Sequence, residues 1–189
     1  MDSEKRRKFL SRDEIMESLQ KERDLTGADM SGLDLSGIKL LGLNLKGADL
    51  HDSNLARATL AGADMSEANL ANAHLEQAQI AGLSLRAANL RGAHMNAARI
   101  AAVDLKDADL TDADLTESRL VAVNVEGADL SGAKTTNARA MGVDWSETKV
   151  PPAEIPQAPT VPPWVPAILF GIVVLLAIVM LRKRQKRGS

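Results

Sequence analysis

From Leu25 to Leu130 every fifth residue is Leu, Met, Ile or Val, without a gap. Two residues before each sits a small or aliphatic side chain, usually Ala, and between the two lies a polar residue, most often Asp or Asn. A period of five fits neither the 3.6 of a helix nor the 2 of a simple strand. It fits a chain that runs extended for about three residues, turns, and repeats, because residues two apart on a short strand point the same way. The pattern therefore predicts a narrow core of stacked centres, among them Leu35, Leu55, Leu75, Met95 and Leu115.

A finer period is superimposed on the first. Where the inward residue before the centre is large, it recurs every twenty residues, at Leu43, Leu83, Val103, Val123 and Val143, with Ala63 the exception. Leu33 and Ile38 lie off this row, near the start of the pattern. Twenty is four fives, so four short segments make one turn of a coil and one side of the square is wider than the others.

The triplets Ala28-Asp29-Met30, Ala48-Asp49-Leu50 and Ala68-Asn69-Leu70 resemble the A(D/N)Lxx signature of the pentapeptide-repeat family over roughly residues 23–149. That resemblance implies an all-β solenoid: a right-handed quadrilateral (square) β-helix. Leu25 to Trp145 holds 25 centres, a little over six coils. Stacked like paired strands at ~4.8 Å, they make a rod of roughly 30 Å. Each buried Leu contributes ~1.5–3 kcal/mol, and the open ends need covers, since unpaired strand edges invite aggregation.

Both flanks read as covers. Ser11 with Glu14 matches a capping box and Leu10 with Ile15 a hydrophobic staple. They open a short N-terminal capping helix over about 12–22, with Ile15, Met16 and Leu19 on one side, a lid on the first coil. At the other end the pattern decays through Thr135 and Ala140 and stops at Trp145, whose bulk suits a plug.

All seven prolines then fall within 151–166, which predicts an extended linker over 150–163, reaching ~3.1 Å per residue. Residues 164–181 carry no charge, near the short end of the ~17–25 that span a bilayer. Trp164 on one flank and Arg182, Lys183 and Arg184 on the other sit where interfacial anchors belong. One C-terminal transmembrane α-helix and a basic tail, 182–189, are expected.

Composition removes several chemistries. There is no cysteine, so disulfides and thiolate metal sites are excluded. Basic residues number 23 and acidic ones 25, a net charge of −2, with no overall pull toward nucleic acid. No glycine-rich phosphate loop or nucleophile motif occurs, so neither an enzyme, a small-molecule substrate nor a cofactor is expected. His74 and His94 differ by twenty and should stack on one outer face, between Asn54 and Asp114. A surface metal or pH-sensitive site is one reading, a polar ladder at a tolerant exposed position the other.

Two further ladders follow from the same arithmetic. Lys39, Thr59, Gln79, Arg99, Arg119 and Arg139 form one, in which three stacked arginines repel unless acids lie near. Asp104, Asp109, Asp129 and Asp144 on neighbouring faces are the expected partners, and the alternative is a basic strip for an acidic partner. Leu41, Ala61, Ala81, Ala101, Val121 and Met141 form the other, free of charge, which suggests a contact with a protein partner or a second copy.

The expected function is a non-catalytic, membrane-anchored scaffold, single-pass, with its repeat domain in the cytoplasm. No secretory signal precedes that domain, although the basic tail by itself favours a cytoplasmic C-terminus. Two alternatives stand beside it: an accessory subunit bound through its transmembrane helix, and, because some members of the family act so, a topoisomerase-protecting DNA mimic.

Overall fold

The structure, a computed structural model, describes residues 7–158. Six three-residue strands recur every twenty residues: β1 (Lys39–Leu41), β2 (Thr59–Ala61), β3 (Gln79–Ala81), β4 (Arg99–Ala101), β5 (Arg119–Val121) and β6 (Arg139–Met141). They pair in parallel, in sequence order, with Leu40 opposite Leu60 and Ile80 opposite Ile100. Single bridges at the same interval, such as Asp24 to Asn44, Asp49 to Asn69 and Asn54 to His74, build the other three sides. The result is a four-sided β-solenoid. Its centres are sealed: Leu35, Leu55 and Met95 are 0% exposed and Leu75 and Leu115 1%.

The four corners are not equivalent. At three of them the chain closes a turn with a backbone hydrogen bond, as from Ala28 N–H to Leu25 O (3.1 Å), Ala73 N–H to Leu70 O (3.0 Å) and Ala78 N–H to Leu75 O (3.0 Å). These turns leave the N–H after the centre without a backbone acceptor, and the polar residue before the centre supplies one. Asp24 accepts from Thr26 N–H at 3.0 Å, Asp64 from Ser66 at 3.0 Å and Asp129 from Ser131 at 3.0 Å. This side-chain mimic of a turn is what Asp and Asn do best, and it explains their dominance on those three sides.

The fourth corner follows β1–β6. Here the residue after the centre stays in the strand, Leu41 opposite Ala61 and Ala101 opposite Val121. Its backbone joins the ladder, so no Asp or Asn is needed. The positions before the centre are Lys, Thr, Gln and Arg instead. The wide inward residues Leu43, Leu83, Val103 and Val123 come directly after this more open corner and are buried there.

The second turn residue has left-handed φ throughout, thirteen times at a residue other than glycine. Each such residue costs ~1–2 kcal/mol, which the dense core must offset. Gly127 (φ +66°) is fixed for a second reason. A Cβ there would come within 2.2 Å of Asp107 Oδ1, stacked one coil below.

The ends depart from several expectations. α1 (Arg12–Lys21) is N-capped by Ser11, whose hydroxyl accepts from Glu14 N–H at 3.3 Å. The Glu14 carboxylate, however, reaches back to Leu10 N–H (2.7 Å), one residue earlier than a capping box requires. The Leu10–Ile15 staple does not form: Leu10 is 72% exposed. Phe9 is buried in its place, because Lys8 pairs with Asp29 and Phe9 N–H donates to Asp29 O, which turns the ring onto the first coil. Ile15 and Ser18 are buried with it, while Met16 faces solvent.

At the other end Trp145 starts a 3₁₀ turn, Trp145–Glu147, and packs against the core. The first residues expected to be linker instead continue the fold. Val150 bridges Asp129 and Gln157 bridges Arg139, with Leu130 N–H donating to Val150 O (2.9 Å) and Ala140 N–H to Gln157 O (3.0 Å). Pro152 and Pro156 are buried in this partial coil. A proline has no N–H to offer a further strand, so the end is blunted. The expected transmembrane helix 164–181 and its flanks Trp164, Arg182, Lys183 and Arg184 lie outside the described residues. Among the described residues no helix is long and apolar enough to cross a membrane.

Candidate interaction face

Each strand of β1–β6 buries its middle residue and turns the other two outward. Two ladders therefore share one flat face. One runs Lys39, Thr59, Gln79, Arg99, Arg119, Arg139; the other runs Leu41, Ala61, Ala81, Ala101, Val121, Met141. Along a strand the two are separated by about 6.6 Å, twice the rise per residue. No acidic residue occurs in the six strands. On the apolar side Leu41, Val121 and Met141 are 43%, 39% and 53% exposed.

The basic ladder is not neutralised as the sequence led us to expect. Among the described residues no carboxylate lies within ion-pair distance of Arg99, Arg119 or Arg139. The acids proposed for them are engaged elsewhere. Asp104 holds Arg86 at 2.9 Å, Asp109 holds Arg91 at 3.3 Å and Asp129 holds Lys149 at 3.1 Å. Asp144 accepts from Ser146 N–H (3.0 Å) and its hydroxyl (2.6 Å). The reason is geometric: a carboxylate tied to its own turn two residues on points along its own side of the square, away from the next side. Three arginines thus stack one coil apart, ~4.8 Å in backbone spacing, beside a strip with no charge.

On the other sides many polar groups hold one another by contrast. Asn69 donates to Asp49 Oδ1 (3.0 Å), Asn89 to Asn69 Oδ1 (3.0 Å) and Asn124 to Asp104 Oδ1 (2.9 Å), rungs of polar ladders one coil apart. Asp129 is drawn down to about 2 by the Ser131 hydroxyl, the Ser131 N–H and Lys149. His51 is raised from its ordinary value by its hydrogen bond to Asp49 (2.7 Å). His74 and His94 do stack as expected, ring centroids 4.8 Å apart and 9° from parallel, with His74 Nδ1 2.9 Å from Glu76 Oε1. Among the described residues no group of His, Asp and Glu is arranged to hold a metal ion.

Both ladders follow from the twenty-residue period of the sequence. Their adjacency was already legible, since positions 39 and 41, or 99 and 101, are two apart with a buried centre between them. What the sequence lacked was the identity of the corner at which the strand continues.

A family model of pentapeptide repeats, in eight copies, matches residues 44–79, 53–92, 68–112, 98–134 and 108–144. The chain belongs to the pentapeptide repeat family. Its fold is similar to that of full-length QnrB1, a plasmid-mediated fluoroquinolone resistance protein, with a TM-score of 0.58 at 15% identity over 79% of this chain and 89% of that one. A pentapeptide repeat protein from the Arabidopsis thaliana thylakoid lumen matches at 30% identity over 64% of this chain and 69% of its own, with a TM-score of 0.33. Rfr23, a pentapeptide repeat protein from the cyanobacterium Cyanothece, matches at 19% identity over 69% and 96%, with a TM-score of 0.41. No curated protein sequence matches.

Proposed function

We propose that the chain is a non-catalytic scaffold, held at a membrane by residues 164–181, that presents the β1–β6 face to a protein partner. One observation carries the reading: a charge-free strip and an arginine ladder with no ion-pair partner among the described residues lie side by side on the β1–β6 sheet. An exposed apolar strip marks a contact surface, and a stack of like charges beside it draws a partner of opposite charge. The right-handed winding implied by the family, the cytoplasmic placement of the domain and the membrane helix are parts of this proposal, the last resting on Trp164, Arg182, Lys183 and Arg184 in the sequence. The β1–β6 face carries arginine and no acid, so it is not the acidic surface that a DNA mimic would present.

Two measurements on the full chain test the reading. Fractionation should find it in membranes, and a chain ending at residue 158 in the soluble fraction; a full chain that is itself soluble refutes the anchor. Ala81→Glu with Ala101→Glu should abolish chemical crosslinks to the partner at the membrane while leaving the melting temperature unchanged. Undiminished crosslinking in the double variant refutes the face.

A further inference from the structure

The face has a geometry that selects its occupant, given the reading that it is a docking surface. The strands are three residues long, ~10 Å, so nothing elongated can lie along them. The one long direction is the rod axis, where six strands at ~4.8 Å span about 24 Å. A helix of about 16 residues has that length at 1.5 Å per residue.

The spacing agrees as well. Arg99 to Arg139 is two coils, ~9.6 Å, and positions i and i+7 of a helix are ~10.5 Å apart. The apolar ladder is shaped as a saddle. Ala61, Ala81 and Ala101 are low in the middle, between Leu41 at one end and Val121 and Met141 at the other. A low middle admits the large side chains of an apolar stripe, the helix-in-groove mode.

We infer that the β1–β6 face binds an amphipathic helix laid along the rod, its apolar stripe over the Leu41–Met141 ladder and its acidic residues at i, i+4 and i+7 against Arg99, Arg119 and Arg139. A second copy of this chain is a poor fit. In a flat two-fold pairing centred on the face, an axis across the rod sets Arg139 over Lys39 and leaves Arg119 and Arg99 over the uncharged Thr59 and Gln79. An axis along the rod sets the arginines over the other copy's apolar strip. Either buries uncompensated charge, whereas an acidic helix neutralises it.

The test uses the full chain in nanodiscs of uncharged lipid and two labelled 18-residue peptides of identical Leu stripe. One carries Glu at i, i+4 and i+7 on the flank; its twin carries Lys there. The Glu peptide should bind, become helical in circular dichroism and weaken as salt is raised. Reversing the three arginines to Glu should lower its affinity roughly tenfold or more and let the Lys peptide bind instead. Equal binding of both peptides to the native chain, or no change on charge reversal, overturns the inference. So does a Glu peptide that binds without becoming helical, or recruitment of anionic vesicles by a chain that ignores the peptide. If the peptides fail while Ala81→Glu with Ala101→Glu still removes the membrane crosslink, the face stands and its occupant is of another kind. If that crosslink also persists, the scaffold reading falls with the inference.

Discussion

Three corners of this solenoid close hydrogen-bonded turns and the fourth lets the strand run on, and most of the sequence variation follows from that one difference. At a closed corner, as at Leu70–Ala73, the inward residue after the turn is Ala and the outward residue before the centre is a hydrogen-bonding Asp or Asn. At the open corner the inward residue is Leu or Val, Ala63 excepted, and the outward residue is free to be Arg. The closed corners consume their polar side chains in holding the backbone. The open one releases its outward positions, and it is there that apolar and basic residues gather. A repeat that must satisfy itself at three corners has one side left on which to interact.

The sharpest way to break this comparison is to exchange the inward residues. Ala73→Leu, at a closed corner with Ser53 and Ala93 as its row neighbours, should overpack the core and cost ~1–3 kcal/mol or more. Ala63→Leu adds the same atoms between Leu43 and Leu83 at the open corner and should cost under about 1 kcal/mol, or stabilise. Urea unfolding of the two variants decides it; equal losses would mean that the corners do not differ in width.

The outward positions give a smaller contrast. Asp109→Ala removes the acceptor of Thr111 N–H (2.9 Å) and of its hydroxyl (2.5 Å) and should cost about 1–2 kcal/mol. Arg119→Ala, on the open side with no partner acid, should fall within about 0.5 kcal/mol of the native chain. Thermal melting of the two single variants measures both.

The smallest effect near neutrality lies in pH. Asp129 folds with its carboxyl lowered from 3.8 to about 2, and Asp29 and Asp64 are lowered as well by their serine partners. A depressed carboxylate adds stability that is fully present above about pH 4 and lost as pH falls through its folded value. The melting temperature should therefore decline between roughly pH 4 and pH 2, and Asp129→Asn should flatten that decline. His51 acts in the opposite sense. Raised by Asp49, its contribution is complete below its ordinary 6.5 and fades as pH climbs past its folded value.

Much of the fold was legible because a side chain's direction in a five-residue repeat follows from its position. Leu75 and Met95 could be assigned to the core, and His74 stacked on His94, by arithmetic. The ends were less legible. Phe9 rather than Leu10 enters the core because the backbone of residues 7–9 pairs with Asp29, a contact between segments that no local pattern encodes. Pro152 and Pro156 read as linker by composition, yet they are buried on the last coil. The face itself was half legible: its two ladders follow from the period, but the acids expected beside Arg99, Arg119 and Arg139 are drawn into their own turns.

By itself, then, the sequence determined the period, the stacked core, the wide row and the charge-free ladder, because each depends only on which way a residue points and on how much space it fills. Which corner stays open, which acid pairs with which base and how the ends are covered were decided by tertiary structure. Those outcomes are competitions between groups brought together in space, and for a carboxylate the free N–H two residues on wins over an arginine across a corner.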